Sequence, residues 1–118
     1  LVVLAGDSHN AWASDLKDAT GAAVGVEFAT PSVTSTGLEV QYSRIGHQFL
    51  ADAFLQMVPD LRYAQTSDRG YLLITLFPTQ VRADWVFIGS VFAKDPKTRV
   101  GRSLTTRPGT GARRIEEV

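Results

Sequence analysis

The sequence predicts an α+β chain, and three observations carry that reading. Leu1-Val2-Val3-Leu4-Ala5 is an unbroken apolar run that stops at Gly6 and gives way to Asp7, Ser8, His9 and Asn10, as expected of a strand covered on both faces that ends at a polar edge. Ile45 to Val58 repeats apolar residues at helical spacing. Arg69–Phe77 and Val81–Ile88 are two runs rich in β-branched and aromatic residues. Only Pro78, Thr79 and Gln80 separate them, which predicts an antiparallel hairpin near residues 70–90.

The opening run sets the functional question. In open sheets with parallel strands, polar side chains converge where loops leave the carboxyl ends of strands. Asp7 and His9 flank Ser8, and if extended geometry continues to His9 their side chains point the same way. A carboxylate oxygen and an imidazole nitrogen are both metal ligands, and Gly6 lets the backbone turn closely around what they hold. A plain turn accounts for the same residues: Asp7 accepts from the backbone N–H groups of Ser8 to Asn10, and His9 lies at the surface. On these residues alone both readings stand.

Composition bounds the rest. The chain has 118 residues, 44% apolar and 9% aromatic, enough for one buried core and inconsistent with a disordered chain. It contains no cysteine, which excludes disulfides and thiolate metal sites; such a chain is compatible with export without demanding it. No apolar run approaches the roughly 20 residues of a membrane helix, and no signal-peptide pattern is present. The first residue is not methionine and lies inside a strand pattern, so the chain is expected to be part of a longer polypeptide. Zero net charge conceals an asymmetry. Lys94, Lys97, Arg99, Arg102, Arg107, Arg113 and Arg114 outnumber Asp95, Glu116 and Glu117, setting residues 94–118 apart as a basic, partly ordered C-terminal tail. That tail lacks interleaved aromatics for base stacking, so nucleic acid is not an expected partner.

In chain order, Asn10 to Lys17 places Trp12, Ala13 and Leu16 at helical spacing, predicting a short helix or irregular turn. Ala23–Ala29 reads as a strand with Val24, Val26 and Phe28 on one face, Gly25 and Glu27 on the other. Thr30 to Gly37 is a hydroxyl-rich loop shaped by Pro31. Its hydroxyls serve local backbone bonds more readily than an anion. In the helix, Ile45, Phe49, Ala53 and Met57 form the expected buried stripe with Leu50 and Phe54 beside it, and Pro59 ends it. His47, on the flank of that stripe, reads as an ordinary surface residue. In the hairpin, Tyr71, Leu73, Thr75 and Phe77 are expected to face the core opposite Val81, Ala83, Trp85 and Phe87. A short strand is expected around Val100 to Leu104.

Taken together, Gly6-Asp7-Ser8-His9-Asn10-Ala11-Trp12, the string from Val26 through Glu27-Phe28-Ala29-Thr30-Pro31-Ser32-Val33-Thr34-Ser35-Thr36-Gly37, then Asp60-Leu61-Arg62-Tyr63 and Asp68-Arg69-Gly70-Tyr71 resemble the C-terminal part of PhoD-like alkaline phosphatases. The resemblance covers most of residues 1–91, and the long string is its specific part. Thr36, where the family pattern often has proline, and Met57-Val58-Pro59 depart from it without touching a proposed ligand. It implies the C-terminal part of a metallophosphoesterase-type β-sandwich flanked by helices, with residues 1–93 belonging to that domain and 94–118 forming the tail. It also implies hydrolysis of phosphate esters at a two-metal site of ferric iron and calcium, with Asp7 and His9 among the metal ligands. The other ligands would lie upstream of residue 1, so the N-terminal remainder of the same polypeptide is the implied partner and the isolated chain is expected to be inactive. A periplasmic or secreted location follows only from the family. The competing expectations are a non-catalytic β-rich binding or structural module and an enzyme fold that has lost its metals.

Overall fold

The computed structural model describes residues 1–94 and 97–118. Strands β1 (Val2–Ala5), β2 (Ala11–Lys17), β3 (Ala23–Ala29) and β4 (Leu61–Gln65) form one sheet in the order β1-β3-β2-β4; β5 (Gly70–Leu76), β6 (Val81–Ile88), β7 (Thr98–Thr106) and β8 (Glu116–Glu117) form a second in sequence order. Helix α1 (Leu38–Gln41) is a single turn, and α2 (His47–Met57) packs beside β4. The chain is therefore mostly β, with the two sheets expected of a sandwich but only α1 and α2 among the described residues where flanking helices are expected.

The two sheets face each other across one core. Ala11, Ala13, Val26 and Phe28 come from the first sheet, and Ala83, Trp85, Phe87 and Leu104 from the second, each at most 1% exposed. Trp85 is the hub: its ring meets Phe28 edge-on at 5.8 Å and Tyr63 at 5.0 Å between centroids. Such contacts add roughly 0.5–1.5 kcal/mol each beyond area burial. Its indole Nε1–H also donates to the Ala29 carbonyl at 2.9 Å, crossing from one sheet to the other. The Tyr63 hydroxyl is pushed up to about 12, first by burial and then by the Asp68 carboxylate.

Several elements differ from expectation for identifiable reasons. Residues 11–17 are a strand, not a helix. Their inward positions are Ala11, Ala13 and Asp15, so the two-residue period carries little hydrophobic contrast, while Trp12 faces outward against Phe54 of α2 at 5.3 Å. Buried Asp15 accepts from Arg62 Nε at 2.7 Å and from the Ile115 N–H at 2.8 Å. The opening strand β1 is present, but it pairs with β3 alone and Leu4 is 59% exposed, so among the described residues it is an edge and not a doubly covered strand. Strand β3 keeps the expected alternation, with Val26 and Phe28 in the core.

The hairpin forms as expected, but its first strand presents the other face. Leu72 pairs with Trp85 and Ile74 with Ala83, so Leu72 and Ile74 pack on the core, while Tyr71, Leu73 and Phe77 are exposed. Val81, Ala83, Trp85 and Phe87 face inward as expected. Gly70 fixes this register by close approach: a Cβ there would sit 2.0 Å from the Val86 carbonyl oxygen. In α2 the buried residues are Leu50 and Ala51 with Phe54 and Leu55 beside them, leaving Phe49 and Met57 exposed. The helix docks on β4 along a stripe rotated from the expected one. The expected short strand at Val100–Leu104 is the longer β7, paired with β6 throughout. This strand lies within the basic segment, and its arginines pack on rings: Arg99 lies 5.3 Å from the Phe87 centroid and Arg102 5.9 Å from Tyr63.

On the outer face of the second sheet, Arg82 Nε contacts both Asp84 carboxylate oxygens at 2.9 Å, and the Ser103 hydroxyl donates to the same group. Burial opposes the Asp84 charge, but hydrogen bonds from Arg82 and Ser103, with the guanidinium charge, outweigh it and hold the carboxyl below its ordinary value. The group therefore stabilises the fold fully above the unfolded carboxylate pKa of about 4, and that contribution fades as pH falls through the lower folded value. Asp84→Asn is expected to lower stability at neutral pH, with the difference from wild type narrowing below about pH 4. Urea unfolding across that range checks it, and a difference independent of pH contradicts it.

Candidate functional site

The parallel pairing of β1 with β3 places Ala5 beside Ala29, so the loops leaving both strands emerge at one edge of the sheet. Strand β2 runs antiparallel to β3 and starts at that edge, and Gln65 at the end of β4 pairs with Ala11 there. Three segments consequently meet: residues 6–10, 30–37 and 66–69. The Thr30 N–H donates to the Ala5 carbonyl at 2.9 Å, and the Gly70 N–H to the Ser32 carbonyl at 3.0 Å.

Extended geometry does not continue into the first of these segments. Asp7 has φ 71° and His9 φ 60°, both in the left-handed region. The Ser8 N–H donates to the Gly6 carbonyl at 2.8 Å, closing a tight three-residue turn centred on Asp7. Asp and His are among the side chains that tolerate this conformation best, yet each such residue costs on the order of 1–3 kcal/mol and persists only where its surroundings hold it.

Here the surroundings are specific. Asn10 is 1% exposed; its amide donates to the Ser8 carbonyl, and its Oδ1 accepts the Leu38 N–H at 3.2 Å. The Trp12 indole donates to Ser8 Oγ at 2.8 Å. His9 Nδ1 lies 2.8 Å from the Thr36 carbonyl oxygen. A carbonyl only accepts, so Nδ1 carries the proton and, in the neutral ring, Nε2 keeps its lone pair. The turn bonds considered for Asp7 are accepted elsewhere, the Ser8 N–H by the Gly6 carbonyl and the Asn10 N–H by Ser8 Oγ at 3.4 Å, and the exposed Asp7 carboxylate forms no ion pair with a described residue.

The hydroxyl-rich loop is locked from below. Glu39 accepts the Gly37 N–H at 3.0 Å and pairs with Arg69, whose Nη1 donates to the Ser67 carbonyl at 2.9 Å. Both charged side chains are largely buried, and burial lowers the Arg69 pKa. Within the loop, Ser32 Oγ accepts the N–H groups of Thr34 and Ser35, and the Thr30 hydroxyl donates to the Pro31 carbonyl, the local bonding the composition suggests. Gly37 allows the two loops to approach closely: a Cβ there would lie 2.6 Å from Asn10 Oδ1 and 3.1 Å from the His9 carbonyl oxygen.

The sequence reading found Asp7 and His9 but missed the scaffold of Asn10, Gly37, Glu39 and Arg69. The available signal was the buried-strand start after Asn10 and the Arg69-Gly70 pair opening β5. His47 is exposed at the start of α2. Among the described residues no group of three or more His, Cys, Asp or Glu is arranged to hold a metal. Asp7 and His9 are thus at most two ligands: an unpaired carboxylate and an imidazole oriented through its far nitrogen, the support commonly given to metal-bound histidine. That donor set fits a partial metal site completed from elsewhere. The larger cavity, about 640 Å³ and lined by Val2, Phe77, Val81 and Thr106 among others, lies at the opposite end of the sandwich and contains neither residue.

Gly37→Ala should drive the new methyl group into Asn10 and destabilise the protein by about 1–3 kcal/mol. Urea unfolding checks it, and unchanged stability would show that the two loops are not clamped together here.

Comparison with known proteins agrees with this architecture. A family model described as PhoD-like phosphatase matches residues 1–85. A solved structure titled "Structure of PhoD" superposes with a TM-score of 0.76 at 24% sequence identity, covering 99% of this chain and 22% of that chain. The chain thus spans about a fifth of the length of the solved chain it matches. No curated protein matches it significantly. With most of its length matched by one family model, the chain belongs to the PhoD-like phosphatase family.

Proposed function

We propose that this chain is part of a metal-dependent phosphoric ester hydrolase and that Asp7 and His9 are metal ligands at its active-site edge. The observation that carries the reading is the backbone from Gly6 to Asn10. Two residues with ligand side chains hold left-handed φ values, and His9 is bonded through Nδ1 so that Nε2 stays free. Strain held in place by a buried asparagine and an indole is characteristic of a site and not of a plain surface turn.

In this reading the Asp7 carboxylate suits a hard cation such as calcium, and the His9 imidazole suits iron. When bound, such a metal pair polarises phosphoryl oxygens, lowers the pKa of the attacking water and neutralises charge on the leaving oxygen. The chain's own residues do the positioning. Thr36 fixes the His9 ring through its carbonyl, Asn10 holds the turn that carries Asp7 and His9, and the Arg69–Glu39 pair keeps the hydroxyl loop against that turn. Two ligands are too few to retain a catalytic metal pair, so the remaining ones come from the N-terminal part of the same polypeptide. The exposed Leu4 on edge strand β1 supports that placement, because it gives the sheet an apolar edge that a further strand can cover.

The test is metal content and phosphate release by the full-length polypeptide, wild type beside Asp7→Ala and His9→Ala. Both substitutions are expected to reduce bound metal and to lower kcat by more than about 100-fold. The isolated 118 residues are expected to release no phosphate above background. Variants that keep metal and rate would overturn the reading and leave a non-catalytic module, and metal-dependent turnover by the isolated chain would overturn the claim that the remaining ligands lie outside these residues.

A further inference from the structure

A second cavity, about 510 Å³, opens on the same edge as Asp7 and His9. Its walls include Thr34, Thr36, Ser67 and Ser90 with Ile88 and Phe92. Thr36 is the residue whose carbonyl orients His9, so this cavity lies beside one of the proposed metal ligands. Its volume falls within the roughly 300–1,000 Å³ of small-molecule sites.

The chemistry of the lining is specific. Asp68 and Arg69 also reach this cavity, but Arg69 is paired with Glu39 and Asp68 with Arg99, so among its described lining residues no unpaired charge awaits a second anionic group. What remains is four hydroxyl side chains, the apolar Ile88 and Val91, and one aromatic ring. Phe92 is 95% exposed, and its N–H donates to Ser90 Oγ at 3.1 Å, which ties the ring's backbone to the hydroxyl lining. A fully exposed phenylalanine contributes nothing to the core. Its face is free to meet a ligand ring, while neighbouring hydroxyls can meet that ligand's own hydroxyls.

Resting on the phosphoester reading above, we propose that this cavity receives the alcohol portion of the substrate. That portion is a neutral ring bearing hydroxyls, the chemistry shared by a hexose and a nucleoside, with the ring face against Phe92. Phe92 is a specificity-determining residue. It acts on binding of the ring, while the phosphoryl end is handled at Asp7 and His9.

The experiment uses the full-length polypeptide and isothermal titration with three phosphonates that cannot be hydrolysed: a hexose phosphonate, a nucleoside phosphonate and ringless methylphosphonate. Phe92→Ala is expected to weaken at least one ring-bearing ligand roughly tenfold while leaving methylphosphonate within about twofold, and Phe92→Trp is expected to restore the loss. Which ring ligand responds identifies the source of the ring. A loss common to all three ligands, or a loss for none, overturns the proposal while leaving the phosphoester reading in place. Failure of all three to bind the wild type overturns both.

Discussion

The buried indole of Trp85 is the constraint on which the rest of the structure depends. Its Nε1–H is donated to the carbonyl of Ala29, the last residue of β3, and its ring fills the space between Phe28 and Tyr63. Ala29 pairs with Ala5 on one side and Trp12 on the other. One hydrogen bond therefore fixes the second sheet against the point from which the candidate site's loops depart. On a residue with no exposed surface, the indole N–H would otherwise be buried without a partner, and leaving such a group unsatisfied costs about 1–3 kcal/mol.

From that anchor the edge is built by short-range contacts that oppose backbone strain. Asp7 and His9 occupy left-handed conformations because Ser8, Asn10, Trp12 and Thr36 hold the segment between them. The Arg69–Glu39 pair links this segment's neighbour, the hydroxyl loop, to the start of the second sheet. An ion pair so little exposed is a costly element to break, since either charge left alone would remain largely desolvated. The geometry thus spends stability on position, which is the pattern expected where side chains must be oriented before a ligand arrives.

Much of this was legible in the sequence, and what was not has physical causes. The strand before Gly6, the strand at Ala23–Ala29, the α2 helix and the hairpin all follow from local hydrophobic pattern. Strand β2 escaped because its inward face is Ala11, Ala13 and Asp15: two small side chains and a carboxylate whose burial is made possible by Arg62 and the distant Ile115 N–H. The face of β5 is ambiguous in the sequence because both alternating sets, Tyr71 with Leu73 and Leu72 with Ile74, carry large side chains that pack well in a sheet, and pairing with β6 decides between them. At the site, Asp7 and His9 stand out by residue type. Their conformation does not, because it depends on Thr36 and Leu38, far along the chain.

The proposed site depends on His9 being oriented in advance, with Nδ1–H held by the Thr36 carbonyl and Nε2 left open. Long-range nitrogen–proton correlation NMR of the histidine rings, recorded without added metal at mildly alkaline pH, reads the tautomer directly. The neutral His9 ring is expected to be protonated at Nδ1 and unprotonated at Nε2. A His9 ring protonated at Nε2, or averaging freely between tautomers, would contradict it.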